Sequence, residues 1–299
     1  MIIDLFLDYL RLERNYSECT VKSYGADLRL FESFFTEMDE RLTWKTVDAD
    51  VIRLWMVQMM DEETERGDRA ATVNRRLSCL RSFYRFLMMR GEVDVNPASK
   101  VTGPKRKKKL PYFMKEAEMD KLLDGDLFEP GFEGTRDRTI LDFFYSTGVR
   151  LAELVSLNDG DVDYSASCVK VTGKRNKQRL IPFGDELKAQ LDTYIRIRNE
   201  VLPSRDSNAL FVQAGNGERI TPALVYKLVR ENLSKVTTMK KRSPHVLRHT
   251  FATTMLNHSA ELGAVKELLG HSSLAATEVY THTTFEELKQ IYKHAHPRA

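Results

Sequence analysis

Residues 98–115, ASKVTGPKRKKKLPYFMK, interrupt this chain. They hold seven Lys or Arg and no acid, and Gly103, Pro104 and Pro111 discourage regular structure through them. Such a stretch reads as an exposed connector between two folded parts, and 299 residues allow two domains of ordinary size. The expected division is a first domain at 1–97, a basic linker at 98–112 and a second domain at 113–299. The linker's Lys105, Arg106, Lys107, Lys108 and Lys109 fit either a solvated charge run or a strap across a polyanion. In the second case each neutralised phosphate releases counterions and adds affinity.

Before the linker the pattern is helical throughout. Leu5, Tyr9 and Leu12 recur at helix spacing. Ser17 or Thr20 is a cap for a second helix with Tyr24, Leu28, Phe31 and Phe35 on one face. A third helix is expected near DADVIRLWMVQMMDEE, with Met56, Met59 and Met60 as core filler. A fourth, ATVNRRLSCLRSFYRFLMMRG, carries Val73, Leu77, Leu80, Tyr84 and Leu87 as an apolar stripe. Arg75, Arg76, Arg81 and Arg85 crowd its other faces, a solvated surface or a contact for a nucleic-acid backbone.

After the linker, Val169–Val171 and Leu180–Ile181 flank a Gly-Lys-Arg-Asn-Lys turn, a hairpin signal. Helices are expected around 133–146, 151–157, 185–199, 221–236, 244–257, 260–269 and 273–292. The predicted fold is mainly α: a four-helix first domain, then a mixed, mostly α second domain with a small β-sheet.

Composition narrows the class. Hydrophobic residues at 42% and charged residues at 30% form a soluble globular balance. Cys19, Cys79 and Cys168 are odd in number and far apart. That argues against a disulfide framework or a Cys-rich zinc site and fits a reducing cytosol. No apolar run is long enough to cross a bilayer, so no membrane association is expected. The opening MIIDLFLDYLRLERNY, broken by Asp4 and Asp8, reads as an amphipathic helix and not as a signal peptide.

The chemistry concentrates in four short segments. In SPHVLRHT, Ser243-Pro244 is a helix start. His245, Arg248 and His249 are then neighbours on its surface, with Leu247 and Phe251 facing the core. The outer spacing matches a zinc HExxH motif, but Val246 stands where the glutamate belongs and an arginine repels a dication. A helix N-terminus with a guanidinium suits an anion instead. His249 is left between packing and a supporting role. In STGVRLAELV, Arg150 and Glu153 are a surface ion pair or, beside a phosphate, an arginine and its support. In TGKRNKQR, Lys174 sits on the turn, a solvated base or a proton donor to a leaving alkoxide. In LGHSSLAATEVYTH, Gly270 ends a helix, His271 follows, and Tyr280 is a packing residue or a nucleophile.

The ordered set Arg150, Lys174, His245, Arg248, His271 and Tyr280 resembles the catalytic signature of the tyrosine site-specific recombinases, the phage integrase family. TGKRNKQRLIPFG, SPHVLRHTFAT and the terminal AHPRA look most like its Xer-type members. The resemblance spans the chain and implies a core-binding first domain, a catalytic second domain and a clamp around duplex DNA. It implies that Arg150 and Arg248 hold the scissile phosphate, that His245 and His271 bond to it, and that Glu153 supports the arginines. Lys174 would be the general acid and Tyr280 the nucleophile, giving a 3′-phosphotyrosyl link and a Holliday junction. Neither metal nor nucleotide cofactor is implied.

The implied partner is a double-stranded recombination site bound by four protomers, for resolution of chromosome dimers or, alternatively, integration of a mobile element. A second Xer-type recombinase in the tetramer and activation by a DNA translocase stay open. Phe285, Leu288, Ile291 and Tyr292 form a terminal apolar stripe that either packs at home or, as the resemblance implies, docks on a neighbouring protomer. The rival classes are a catalytically idle DNA-binding protein, a metal hydrolase using His245, His249 and His271, and a type IB topoisomerase.

Overall fold

A computed structural model describes residues 2–61, 69–105, 111–173, 176–203, 208–270 and 284–299. The chain divides into two compact units, residues 1–109 and 110–299. In the first, α1 (Ile2–Leu12), α2 (Glu18–Met38), α3 (Ala49–Asp61) and α4 (Arg69–Met89) surround one core. Caps set the starts. Ser17, not Thr20, opens α2, its Oγ accepting from the Thr20 N–H at 3.4 Å. Asp48 accepts from the N–H groups of Asp50 and Val51 ahead of α3. Leu28, Phe31 and Phe35 of α2 and the whole expected stripe of α4 are buried. Aromatic rings fill the centre, with Trp44 edge-on to Phe83 at 4.6 Å and Phe31 4.7 Å from Trp55. Met59 is buried there, while Met56 and Met60 pack at its margin.

Helix α1 turns the other way from expectation. Ile3, Phe6, Leu7 and Leu10 are buried, whereas Leu5 and Leu12 are 47% and 74% exposed. Both stripes have helical spacing. The Leu5–Leu12 stripe also carries Asp8, which pairs with Arg11 in solvent. The rival stripe carries Phe6, whose ring lies 5.2 Å from Phe83. Burying the ring and leaving the carboxylate hydrated decides the face.

The connector also begins later than residue 98. Pro97–Lys100 forms a 3-10 turn, and Ala98 and Val101 join the first core. Arg81 draws them in, donating through Nε to Ala98 O (3.1 Å) and through Nη2 to Val101 O (2.6 Å). Asn74 reaches Pro104 O at 2.9 Å.

The second unit contains α5 (Glu116–Leu123), α6 (Phe132–Thr147), α7 (Leu151–Ser156), the strands β1 (Val162–Asp163), β2 (Cys168–Thr172) and β3 (Gln178–Pro182), α8 (Asp185–Val201), α9 (Pro222–Ser234), α10 (Pro244–Asn257), α11 (Leu262–Leu269) and α12 (Phe285–Ala295). The sheet is antiparallel in the order β1-β2-β3, with Val169 opposite Ile181 and Val171 opposite Arg179. Helix α6 is buried on nearly every side and packs against both α8 and α10. Neither α5 nor β1 was expected. Eight and two residues are too short for a period to show. Among the described residues no helix is long and apolar enough to cross a membrane.

Helix α6 ends at Gly148 in the left-handed region, φ 59°. A Cβ there would lie 2.4 Å from Phe251 Cδ1. Gly148→Ala is expected to destabilise the second unit by about 2–4 kcal/mol through strain and overpacking, seen as a lowered melting temperature.

The terminal stripe packs at home in this structure. Leu288, Tyr292 and Ala295 are buried in the second unit's core, Ile291 packs against it, and Phe285 is half-buried. His296 stacks on Tyr292 at 5.1 Å and 8°. Its Nε2 donates to Tyr145 O (3.1 Å) and its Nδ1 accepts from the Arg298 N–H (3.2 Å). Burial pushes this imidazole down to about 3, so it is neutral at pH 7. Arg298 then reaches Asp124 (2.9 Å), Glu186 (2.6 Å) and buried Asp142 (3.5 Å).

Candidate active site

The Thr147-Gly148 turn delivers Arg150 to the position before α7, and Glu153 lies in that helix's first turn. Glu153 Oε2 accepts from the Arg150 N–H at 2.8 Å and Oε1 from Arg150 Nη1 at 2.7 Å. This is not the surface pair of the simplest sequence reading, because the Glu153 side chain is only 3% exposed. Burial by itself raises the Glu153 carboxyl. Hydrogen bonds and charge from Arg179 and Arg150 outweigh burial and hold the group at about 2.

Arg248 projects from the first turns of α10. Pro244 opens that helix as expected, but Ser243 makes no side-chain cap. Leu247 and Phe251 are fully buried and fix the helix's rotation. Arg248 Nη1 donates to Gly148 O and Nη2 to Leu269 O, each at 2.6 Å. Burial, then the like charge of Arg150, lowers its pKa to about 10, which still leaves it ionised at pH 7.

The end of α11 gathers the cluster. Three consecutive carbonyls are each met by a different arginine: Leu268 O by Arg179 Nε (2.7 Å), Leu269 O by Arg248 and Gly270 O by Arg150 Nη2 (3.0 Å). A helix's last carbonyls lack intrahelical donors and carry negative potential, so cations are stabilised there. Gly270 turns the chain with φ 64°. Three guanidinium groups thus gather near one carboxylate, which only Arg150 and Arg179 bond, and the cluster keeps excess positive charge that suits a phosphate. Arg150 and Arg248 each give two donors to described partners, out of about five on a guanidinium.

His245 lies in the first turn of α10 with its side chain exposed. His249 is exposed too, so the packing role weighed for it is not what the structure shows. Partial desolvation against the neighbouring protein, then the charge of His245 and Arg248, lowers its pKa. Lys174, His271 and Tyr280 lie outside the described residues. Their flanks are described: Gly173, Asn176 and Gly270 lie beside them, and Thr284 caps α12 by accepting from the Glu287 N–H at 3.3 Å. Among the described residues no group of three His, Cys, Asp or Glu is placed to hold a metal.

Arg179 was missed by sequence reasoning. Its signal is a period of two: it shares the inward face of β3 with Ile181, and a charge there needs a partner.

The first unit's arginines are largely engaged internally. Arg75 pairs with buried Asp27 through both terminal nitrogens. Arg76 lies 3.4 Å from the same carboxylate and 5.6 Å over the Trp55 ring. Arg81 holds the turn after α4. Arg85 and Lys105 are exposed, and 106–109 lie outside the described residues.

The Phage integrase family model matches residues 112–287, and the family's N-terminal SAM-like domain matches 3–91. The tyrosine recombinase XerC of Pelotomaculum thermopropionicum is 39% identical, over 99% of this chain and 98% of that protein. The XerC of Chlorobaculum tepidum is 37% identical, over 98% and 94%. Among solved structures, the XerH recombinase bound to its difH substrate aligns with a TM-score of 0.69 at 22% identity, over 96% of this chain and 83% of that one. A lambda integrase dimer bound to a COC′ core site aligns at 0.68 and 16%, over 95% and 98%. These two likenesses concern the fold. Identity over the full length carries the rest: the chain belongs to the phage integrase family and is a Xer-type tyrosine recombinase, a DNA-cutting and DNA-rejoining enzyme.

Proposed function

We propose that this chain exchanges DNA strands at one specific duplex site, and that the site residues divide the work as follows. Arg150 and Arg248 bind the non-bridging oxygens of the scissile phosphate and stabilise the charge of the pentavalent transition state. Glu153 holds Arg150, while His245 and His271 bond to the phosphate. The Tyr280 phenol oxygen attacks phosphorus as the bond to the 5′-oxygen breaks. Lys174 gives that oxygen its proton. The 5′-hydroxyl of a second strand then attacks the phosphotyrosyl ester, expels Tyr280 and yields a Holliday junction. One ester replaces another at each step, so the bond energy is conserved.

The observation that carries this is the placement of Arg150 and Arg248 on adjacent carbonyls at the end of α11. Arg85 and Lys105 through Lys109 are proposed backbone contacts. A tetramer on two sites, resolving chromosome dimers with or without a second recombinase and a translocase, is the proposed setting. Arg75, Arg76 and Arg81 are proposed to support the first unit first and DNA second, given their internal partners.

The test uses the full chain on nicked, fragmented genomic DNA from its source cell. Detergent-stable adducts are collected, and both the attached DNA and the attached peptide are sequenced. A single DNA sequence joined to Tyr280 is expected, with no adduct from Tyr280→Phe. Equal adduct from both proteins would sink the proposal.

A further inference from the structure

Arg179 has no role in the mechanism above, yet it joins Glu153 to the end of α11. Its Nη1 and Nη2 donate to the two Glu153 oxygens at 2.9 Å each, and its Nε donates to Leu268 O at 2.7 Å. All three guanidinium nitrogens are therefore engaged inside the protein, and the side chain is 14% exposed. Arg150, by contrast, is 32% exposed. A Cβ at Gly270 would lie 3.0–3.2 Å from three atoms of the same guanidinium, so the turn after α11 rests against it. Both oxygens of Glu153 also accept from Arg150. One planar fork thus ties three pieces together: the carboxylate that orients Arg150, the end of α11 that Arg248 grips, and the turn leading to residue 271.

We infer that Arg179 is a positioning residue for strand cleavage. It fixes the Glu153 carboxylate against the end of α11 and thereby sets the spacing of Arg150 and Arg248. It does so from behind the clamp, each of its three guanidinium nitrogens already donating inside the protein. This rests on the phosphate-clamp reading above. Among the described residues, the charged groups that face Glu153 are Arg150 at the start of its own helix, Arg179 from β3 and Arg248 from α10. Without Arg179, Glu153 keeps its burial but loses two hydrogen bonds and a charge. It then takes up a proton at a higher pH, and Arg150 loses its anchor as the pH falls.

The experiment compares wild type with Arg179→Gln and Arg179→Lys on a nicked duplex carrying the trapped sequence. Covalent-complex formation is followed in single turnover at saturating DNA, across pH 5–9. Arg179→Gln is expected to slow this step by about 100-fold or more, with the dissociation constant for the duplex moving less than about threefold. The slow step should acquire an acid limb that wild type lacks. Arg179→Lys, which keeps charge but not the fork, should recover less than about tenfold. A rate lost only in proportion to DNA affinity or folded fraction, with a wild-type pH profile, would overturn the inference. So would full rescue by lysine. Carboxyl-carbon NMR of Glu153 in DNA-free wild type and Arg179→Lys supplies a measurement that needs no reaction. A Glu153 that titrates identically in both proteins overturns the inference even if Arg179→Gln does not fold. If wild type forms no adduct, the functional reading fails, while the NMR comparison still decides the role of Arg179.

Discussion

Arg248→Gln is expected to reduce covalent-complex formation by about 100–1,000-fold, the range for removing one preorganised donor at a transition-state anion. Two losses combine. The scissile phosphate loses a charged fork that the protein orients before the substrate arrives. Gly148 O and Leu269 O, each met at 2.6 Å, also lose their donor. A buried carbonyl left without a partner costs about 1–3 kcal/mol, so the junctions after α6 and α11 loosen together. Arg248→Lys should not rescue the rate, because one ammonium cannot reach two carbonyls and a phosphate in a fixed plane. Single-turnover assays on nicked duplex, with thermal melting of each variant alongside, separate the two losses. A rate within about threefold of wild type in a folded Arg248→Gln would remove Arg248 from the proposed clamp.

The second large effect concerns stability. Arg298→Met is expected to destabilise the second unit by about 3–5 kcal/mol, because it leaves the Asp142 carboxyl buried without its cation. Asp142 is 2% exposed, and its remaining described partner is the Ser146 hydroxyl at 2.8 Å. Burial already raises its pKa against the pull of Arg298. Removing the guanidinium raises it further, so the variant suffers more at high pH, where the carboxyl must ionise, than at low pH. Asp142→Leu in the same background should restore much of the loss, since an apolar pair of similar volume needs no compensation. Urea unfolding of the single and double variants at pH 5 and pH 8 checks the size and the sign. A loss independent of pH would place the effect in the exposed contacts to Asp124 and Glu186 instead.

Much of this could be read in advance because it is local. Pro244 marks the start of α10, Gly270 the end of α11, and the stripe on α4 is buried residue for residue. The hairpin followed from two apolar runs around a basic turn. What escaped depends on partners distant in sequence. Arg75 looked free of acids until Asp27 came to it from α2. Arg81 looked like a surface base until the turn after α4 folded back onto it. Leu5 and Leu12 lost to Phe6 because the decision lay in a ring on another helix. Arg179 lacks any motif-level meaning, since its importance comes from Glu153 and Leu268, 26 and 89 positions away.

The three carbonyls at the end of α11 give the arginine cluster an unusual datum. Its members are registered on peptide oxygens, which every residue type supplies equally. The side chains of Leu268 and Leu269 can therefore drift among residues of similar bulk while the cluster keeps its geometry. The count of residues in α11 cannot drift, because one insertion rotates the terminal oxygens by about 100°. Across sequences descended from a common ancestor, this helix should vary in letters and hold constant in length.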